Sequence, residues 1–239
     1  MESGMQMLSD AMRVKLHKTD VITNNIANVN TTGFKGSDIS TYTDYAGEIN
    51  PDIDDGMARK ETALNSAIPI ITSTHIDHKP GGLKMTGNEL DFNISDPNMM
   101  FMIQLENGDT GYTRDGSFKI SNEMLVNGDG NPVLDSGGAP IEVSNKEQIQ
   151  PGLAIVDFKN IESRGGNIFV TKNNENLATV ENASEYTLQG ALETSNVNIV
   201  KAMTDLITAH REYEQMSKFS KSADELNKEA TSQIGNVRG

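Results

Sequence analysis

Two histidines, His75 and His78 in the string His-Ile-Asp-His, are the first candidates for chemistry. With Asp77 between them they offer two imidazoles and a carboxylate, donor types that suit zinc or copper. In an extended segment, residues i and i+3 face opposite sides, and no third ligand is identifiable. Asp129-Gly130-Asn131 is similar to part of a calcium loop, but a loop opening at Asp129 needs a bidentate Glu where Pro140 stands. It reads as a turn. The chain has no Cys, which excludes disulfides, Cys-ligated zinc, iron–sulfur clusters and thiol nucleophiles. No G-x-S-x-G or P-loop pattern occurs. Carboxylates are so frequent that choosing a glycosidase dyad is arbitrary. His17 and His210 each fall in a predicted helix and read as neutral interface residues. The expectation is a protein that is not an enzyme, with no catalytic residue, no cofactor and no metal site.

The elements that carry these residues are built from a thin supply of core. Of 239 residues, 36% are apolar and 5% aromatic, with no Trp. With glycine counted, as in the usual tally, the share is only a little below the ordinary one, but aromatics are scarce, so part of the chain is expected to find its packing partners in other molecules. The net charge is −14 and unevenly placed. Residues 1–35 hold four basic and three acidic residues, and residues 196–239 hold six of each. That leaves ten basic and twenty-five acidic residues between them. An acidic surface of this kind repels phosphate backbones, so no nucleic-acid partner is expected. No run of 18 apolar residues exists, so no direct membrane insertion is expected. The first twenty residues carry charges throughout and lack the apolar centre of a cleavable signal peptide.

Periodicity divides the chain into four parts. Met5, Leu8, Met12 and Leu16 recur at helical spacing and Ile22 and Ile26 continue the series, predicting a helix that stops between Asn28 and Gly33. Residues 36–74 read as an extended connector with room for a strand or two, broken by Asn50-Pro51 and Asp54-Asp55-Gly56. Residues 75–188 show short apolar runs between turn residues, a β pattern. Met99 to Leu105 is a strand candidate, and Asp115-Gly116 is a hairpin signal. From residue 195 to about 234 no Pro appears, and no Gly before the end. Ile199, Met203, Leu206, Tyr213, Met216, Ala223, Leu226 and Ala230 lie at intervals of three, four or seven. Thr194, Ser195 and Asn196 are the candidate N-caps. The fold class is α+β, with a long helix at each end and a β-rich part between. The short first helix leaves much of the long one uncovered, so its remaining apolar face is expected to be buried by other subunits. A helical hairpin complete in the monomer is the alternative that the pattern leaves open. The methionines at 5, 7, 12, 203 and 216 would give adaptable packing there.

Three strings carry a resemblance. Asn24-Asn25-Ile26-Ala27-Asn28-Val29-Asn30-Thr31-Thr32-Gly33-Phe34-Lys35 resembles the N-terminal signature of the flagellar rod and hook family. Gly111-Tyr112-Thr113-Arg114-Asp115-Gly116-Ser117-Phe118 and then Leu125-Val126-Asn127-Gly128-Asp129-Gly130-Asn131-Pro132-Val133-Leu134 look like its central region. Gln189-Gly190-Ala191-Leu192-Glu193-Thr194-Ser195-Asn196-Val197-Asn198 is similar to the segment that opens the family's C-terminal helix. The strings fall in family order. Ala202-Met203-Thr204-Asp205-Leu206-Ile207 is more similar to proximal-rod members than to distal-rod ones. One departure is the quick passage from Ile141 to Leu153, which implies a trimmed β domain.

The resemblance implies a structural subunit of the bacterial flagellar basal-body rod, a torque-transmitting shaft, polymerising through its terminal helices. Residues 1–35 and 189–239 would form a coiled inner core domain, and 75–188 an outer β domain. The implied partners are other copies of the chain, other rod proteins and the flagellar type III export apparatus. The implied location is the periplasm, reached without a cleaved signal. The assembly interface is expected at Met5, Leu8, Met12, Leu16, Asn25, Ile26, Ala27, Asn28, Gly33, Phe34, Ser195, Asn196, Val197, Ile199, Met203, Leu206, Tyr213, Met216 and Leu226. A distal-rod or other hook-basal-body subunit is the alternative within the family. A soluble assembly or binding module is the alternative from another class.

Overall fold

A computed structural model describes residues 2–45, 67–143, 149–165, 167–173 and 176–236. The breaks expected at Asn50-Pro51 and Asp54-Asp55-Gly56 lie outside these residues, as does part of the interval between Ile141 and Leu153. The chain is α+β and divides into two compact units. One holds Met1–Ile26, Ser37–Ile76 and Asn198–Gly239, and the other holds Ala27–Gly36 and Asp77–Val197.

In the helical unit, α1 spans Glu2–Ala27. It stops at Ala27, one residue before the predicted interval, and the turn beyond is closed by Thr31 N–H to Asn28 O at 3.1 Å. Strands β1 (Ser37–Tyr45) and β2 (Ala67–Ile76) pair antiparallel, with a bulge at Ser40/Thr41. The connector therefore contains a strand pair. The second long helix, α2, spans Ile199–Asn236. Its 38 residues extend about 57 Å at ~1.5 Å per residue. Asn198 caps it, its side chain accepting the Lys201 N–H at 3.0 Å. The three expected caps are occupied elsewhere. Thr194 hydrogen-bonds Gly82 O, the Ser195 hydroxyl accepts the Val197 N–H, and Asn196 is bonded to the segments described below. Within this unit the helices touch in antiparallel sense. Lys15 meets Glu212 at 2.5 Å, and Asn227 donates to the Met5 sulfur at 3.6 Å. Ile22 and Ala209 are buried.

The β unit is centred on a five-stranded antiparallel sheet. Its strands are β5 (Met99–Gln104), β6 (Thr110–Thr113), β9 (Leu153–Ile155), β10 (Ile161–Gly165) and β11 (Ile168–Thr171), in the order β10-β11-β6-β5-β9. Strand β5 carries the run Met-Met-Phe-Met-Ile and is buried on both faces. Phe101, Ile103, Phe118, Leu125, Val133 and Leu153 form the centre of the core. Phe101 and Phe118 meet edge to face at 5.1 Å. Three two-stranded ladders complete the unit: β7 (Lys119–Ser121) with β8 (Met124–Val126), β3 (Leu83–Met85) with β13 (Ala191–Glu193), and β4 (Phe92–Ile94) with β12 (Thr187–Gln189).

The hairpin expected at Asp115-Gly116 does not form. Strand β6 pairs with β5 and β11, not with the chain that follows. The Asp115 carboxylate accepts the Ser117 N–H at 2.9 Å, and the Gly116 carbonyl accepts the Phe92 N–H at 3.0 Å. A Cβ on Gly116 would lie 1.8 Å from Phe92 O, so the glycine serves a close crossing onto β4. The true hairpin turns at Asn122 and Glu123, with φ of 51° and 63°. A Glu in the left-handed region is uncommon, which is why the sequence carries no turn signal there.

Candidate functional site

The three family-like strings are far apart in sequence and converge in the β unit. The junction starts at Gly33, buried with φ +64°. A Cβ there would lie 2.4 Å from Arg114 O, so only glycine fits both the turn and the approach. Its N–H donates to Glu193 O at 2.8 Å. Asn167 holds the preceding residue, its amide donating to Thr32 O at 2.8 Å while its own carbonyl accepts the Thr113 hydroxyl at 3.0 Å.

Two residues further on, the Lys35 side chain enters the interior. Its Nζ donates to Glu193 Oε1 and to Lys79 O, each at 2.7 Å. Arg114 approaches the same carboxylate from β6. Its Nε and Nη2 meet Glu193 Oε2 at 2.9 and 2.7 Å. Its Nη1 donates to Asp96 O and Met99 O at 2.7 and 2.6 Å. Glu193 Oε1 also accepts the Gly81 N–H at 2.8 Å. All three side chains are 5% exposed or less. Burial pushes the Lys35 ammonium below its ordinary value, opposed by its bond to Glu193. Burial pushes the Glu193 carboxyl up, but Arg114, Lys35 and the Gly81 N–H outweigh it and hold it below the usual range.

Asn196 completes the junction. Its Oδ1 accepts the Gly36 N–H at 2.8 Å, and its Nδ2 donates to Asp77 O and Lys79 O. His78 lies beside it, its ring stacked 3.7 Å from that of Phe158. Burial lowers the His78 pKa, and the nearby Lys35 and Arg114 charges lower it further while Asp77 opposes them. His75 sits at the end of β2 near the Ser40 hydroxyl, 3.4 Å away. Among the described residues, no group of three His, Asp or Glu is placed to hold a metal ion. None of their helices is long and apolar enough to cross a membrane.

Three family profiles match the chain. They are the flagella basal body rod protein family over residues 5–35, the flagellar hook protein FlgE/F/G D1 domain over 98–210, and the flagellar basal body rod FlgEFG protein C-terminal family over 188–233. The flagellar basal-body rod protein FlgF of Caulobacter vibrioides is 30% identical over 91% of this chain and 92% of its own length. The chain belongs to the flagellar basal-body rod family. FlgG of Agrobacterium fabrum is 32% identical over 91% and 92% of the two chains. The flagellar hook-basal body complex protein FlhP of Bacillus subtilis is 27% identical over 93% and 96%.

In this rod-family chain the expected interface residues fall into two sets. Gly33, Phe34, Ser195 and Asn196 come together at the junction, where Asn196 N–H also faces Phe34 O at 3.4 Å. Val197 follows them, half-buried. Asn25 is engaged with Ser37, donating to its carbonyl at 2.7 Å and accepting its N–H at 2.9 Å. Asn28 accepts the Thr31 hydroxyl. The rest lie along the helices. Leu8, Met12, Ile26, Leu206, Tyr213 and Met216 are half-buried, whereas Met5, Leu16, Ala27, Ile199, Met203 and Leu226 are exposed. Val200, Ile207 and Phe219, outside the expected set, are also exposed. Sequence reasoning missed the Lys35–Glu193–Arg114 cluster. Local sequence does not mark them, since Arg114 stands between Thr113 and Asp115 and Lys35 precedes Gly36-Ser37, and their pairing spans 79 and 158 residues.

Proposed function

We propose that this chain is a non-catalytic, structural subunit of the flagellar rod, most like the proximal-rod proteins. It polymerises through α1 and α2, the pair forming a coiled inner core with the β unit outside it. In this role it transmits torque by packing alone. Its partners are further copies and sibling rod proteins, and it reaches the periplasm through the flagellar export apparatus without a cleaved signal. The proximal position is favoured by the string 202–207.

The observation that carries this reading is the apolar surface left on α2. Val200 is 72% exposed, Phe219 68% and Leu226 67%, with Ile207 also exposed. On a wheel of about 100° per residue, Ile199, Val200, Met203 and Ile207 share one face, well away from buried Ala209. Apolar area of this extent on a helix implies a partner. Each such side chain gains about 1.5–3 kcal/mol on full burial.

Replacing Val200 and Ile207 with Asp tests this. The expected outcome is loss of rod assembly and motility, with the circular dichroism of the purified protein unchanged. Wild-type motility with the doubly substituted chain in the basal body would overturn the reading. A substituted chain that still forms a stoichiometric soluble complex, with no rod defect, would favour the binding-module alternative.

A further inference from the structure

Residues 187–196 come late in the chain, yet they supply the partners of much earlier elements. Strand β12 pairs with β4 in the register Thr187↔Ile94, Leu188↔Asn93 and Gln189↔Phe92. Strand β13 pairs with β3, placing Ala191 opposite Met85 and Glu193 opposite Leu83. Gly190 O accepts N–H groups from both Thr86 and Gly87, and Thr194 N–H donates to Gly82 O at 2.8 Å. Gly81 is pressed so close that a Cβ would lie 1.8 Å from Thr194 O. Glu193 is the carboxylate on which Lys35 and Arg114 meet, all three buried.

Consider the chain before this segment exists. Lys35 and Arg114 then have no Glu193 to meet, and a buried cation without its anion is strongly disfavoured. Strand β3 then has no strand to pair with and is not stable alone in water, while β4 keeps its crossing at Gly116 but loses its ladder with β12. Gly33 and Gly36 likewise lose the acceptors Glu193 O and Asn196 Oδ1. Long-range pairing of this kind is also slow to form. Synthesis runs from the N-terminus, so the closing contacts arrive last.

We propose that residues 187–196 are a closing strap: the β unit stays open until they arrive, so a growing chain is held unfolded until most of its length has been made. The device lies in the order of strands and in the placement of one buried carboxylate. It does not depend on the polymerisation reading.

The test is pulse proteolysis of ribosome-stalled chains of increasing length. With residues through Tyr186 outside the ribosome, the region from β4 to β11 is expected to be cleaved. With residues through Asn198 outside, the same region is expected to be protected. Protection at the shorter length would overturn the proposal, as would continued cleavage at the longer one. The Glu193→Gln chain, stalled at the longer length, is expected to lose the protection. If it is as protected as the wild type, the carboxylate is not part of the closure.

Discussion

Glu193 is one carboxylate facing two cations, and it shows how a single side chain ties three remote strings together. Replacing it with Ala leaves Lys35 and Arg114 buried without their anion. Breaking a buried pair in this way costs about 3–5 kcal/mol. Urea unfolding followed by far-ultraviolet circular dichroism is expected to show a loss of that size. The triple replacement Lys35→Met, Arg114→Met and Glu193→Leu is expected to recover only part of it, since an apolar set needs no counter-charge but leaves the Gly81 N–H and the Asp96 and Met99 carbonyls without these partners. His78 makes a second prediction. Its folded pKa lies below the ordinary 6.5, mainly through burial and then through Lys35 and Arg114. The unfolded chain therefore binds the proton more readily, and stability falls as the pH drops through 6.5. Between about pH 7.5 and about pH 5.5, His78→Phe is expected to flatten this dependence while keeping a ring on Phe158. Gly33 was legible as a turn glycine because helix ends favour such residues. Its second role, clearing the Arg114 carbonyl, was not legible, since it depends on a segment 81 residues away that no local pattern connects to it.

At the scale of elements, periodicity was informative where elements are long. Both helices follow from apolar spacing along one face, and strand β5 follows from a continuous apolar run. The three-residue strands β3, β4, β12 and β13 were nearly silent. Strand β13 buries Ala191 and Glu193, but a three-residue run carries too little alternation to name β3 as its partner. Asp115-Gly116 misled for a related reason. The dipeptide is a hairpin signal only when the flanking runs pair, and here the chain crosses to Phe92 instead. The exposed face of α2 supports a prediction of its own. Val200 and Ile207 touch little in the single chain, so their replacement by Asp is expected to shift its stability by no more than about 0.5 kcal/mol. Assembly, which depends on that face, is expected to be lost. Equal losses of stability and assembly would instead place the residues in the monomer's own core.

The whole molecule combines a β unit that holds a buried ion cluster with two helices whose apolar surface is only partly used within the chain. The thin apolar composition fits this division, because the acidic central part keeps a complete core while the nearly neutral ends do not. The membership of the rod family was legible from three strings, and the fold brings residues of all three together at Glu193. Their side chains hold the segments that continue into α1 and α2. The central claim is that the terminal helices complete their burial in neighbouring subunits. A cryo-EM reconstruction of isolated basal bodies tests it most directly. The account predicts this chain within the rod, with Val200, Ile207, Phe219 and Leu226 covered by helices of adjoining subunits. Finding those side chains facing solvent in the assembled rod, or the rod complete without this chain, would contradict it.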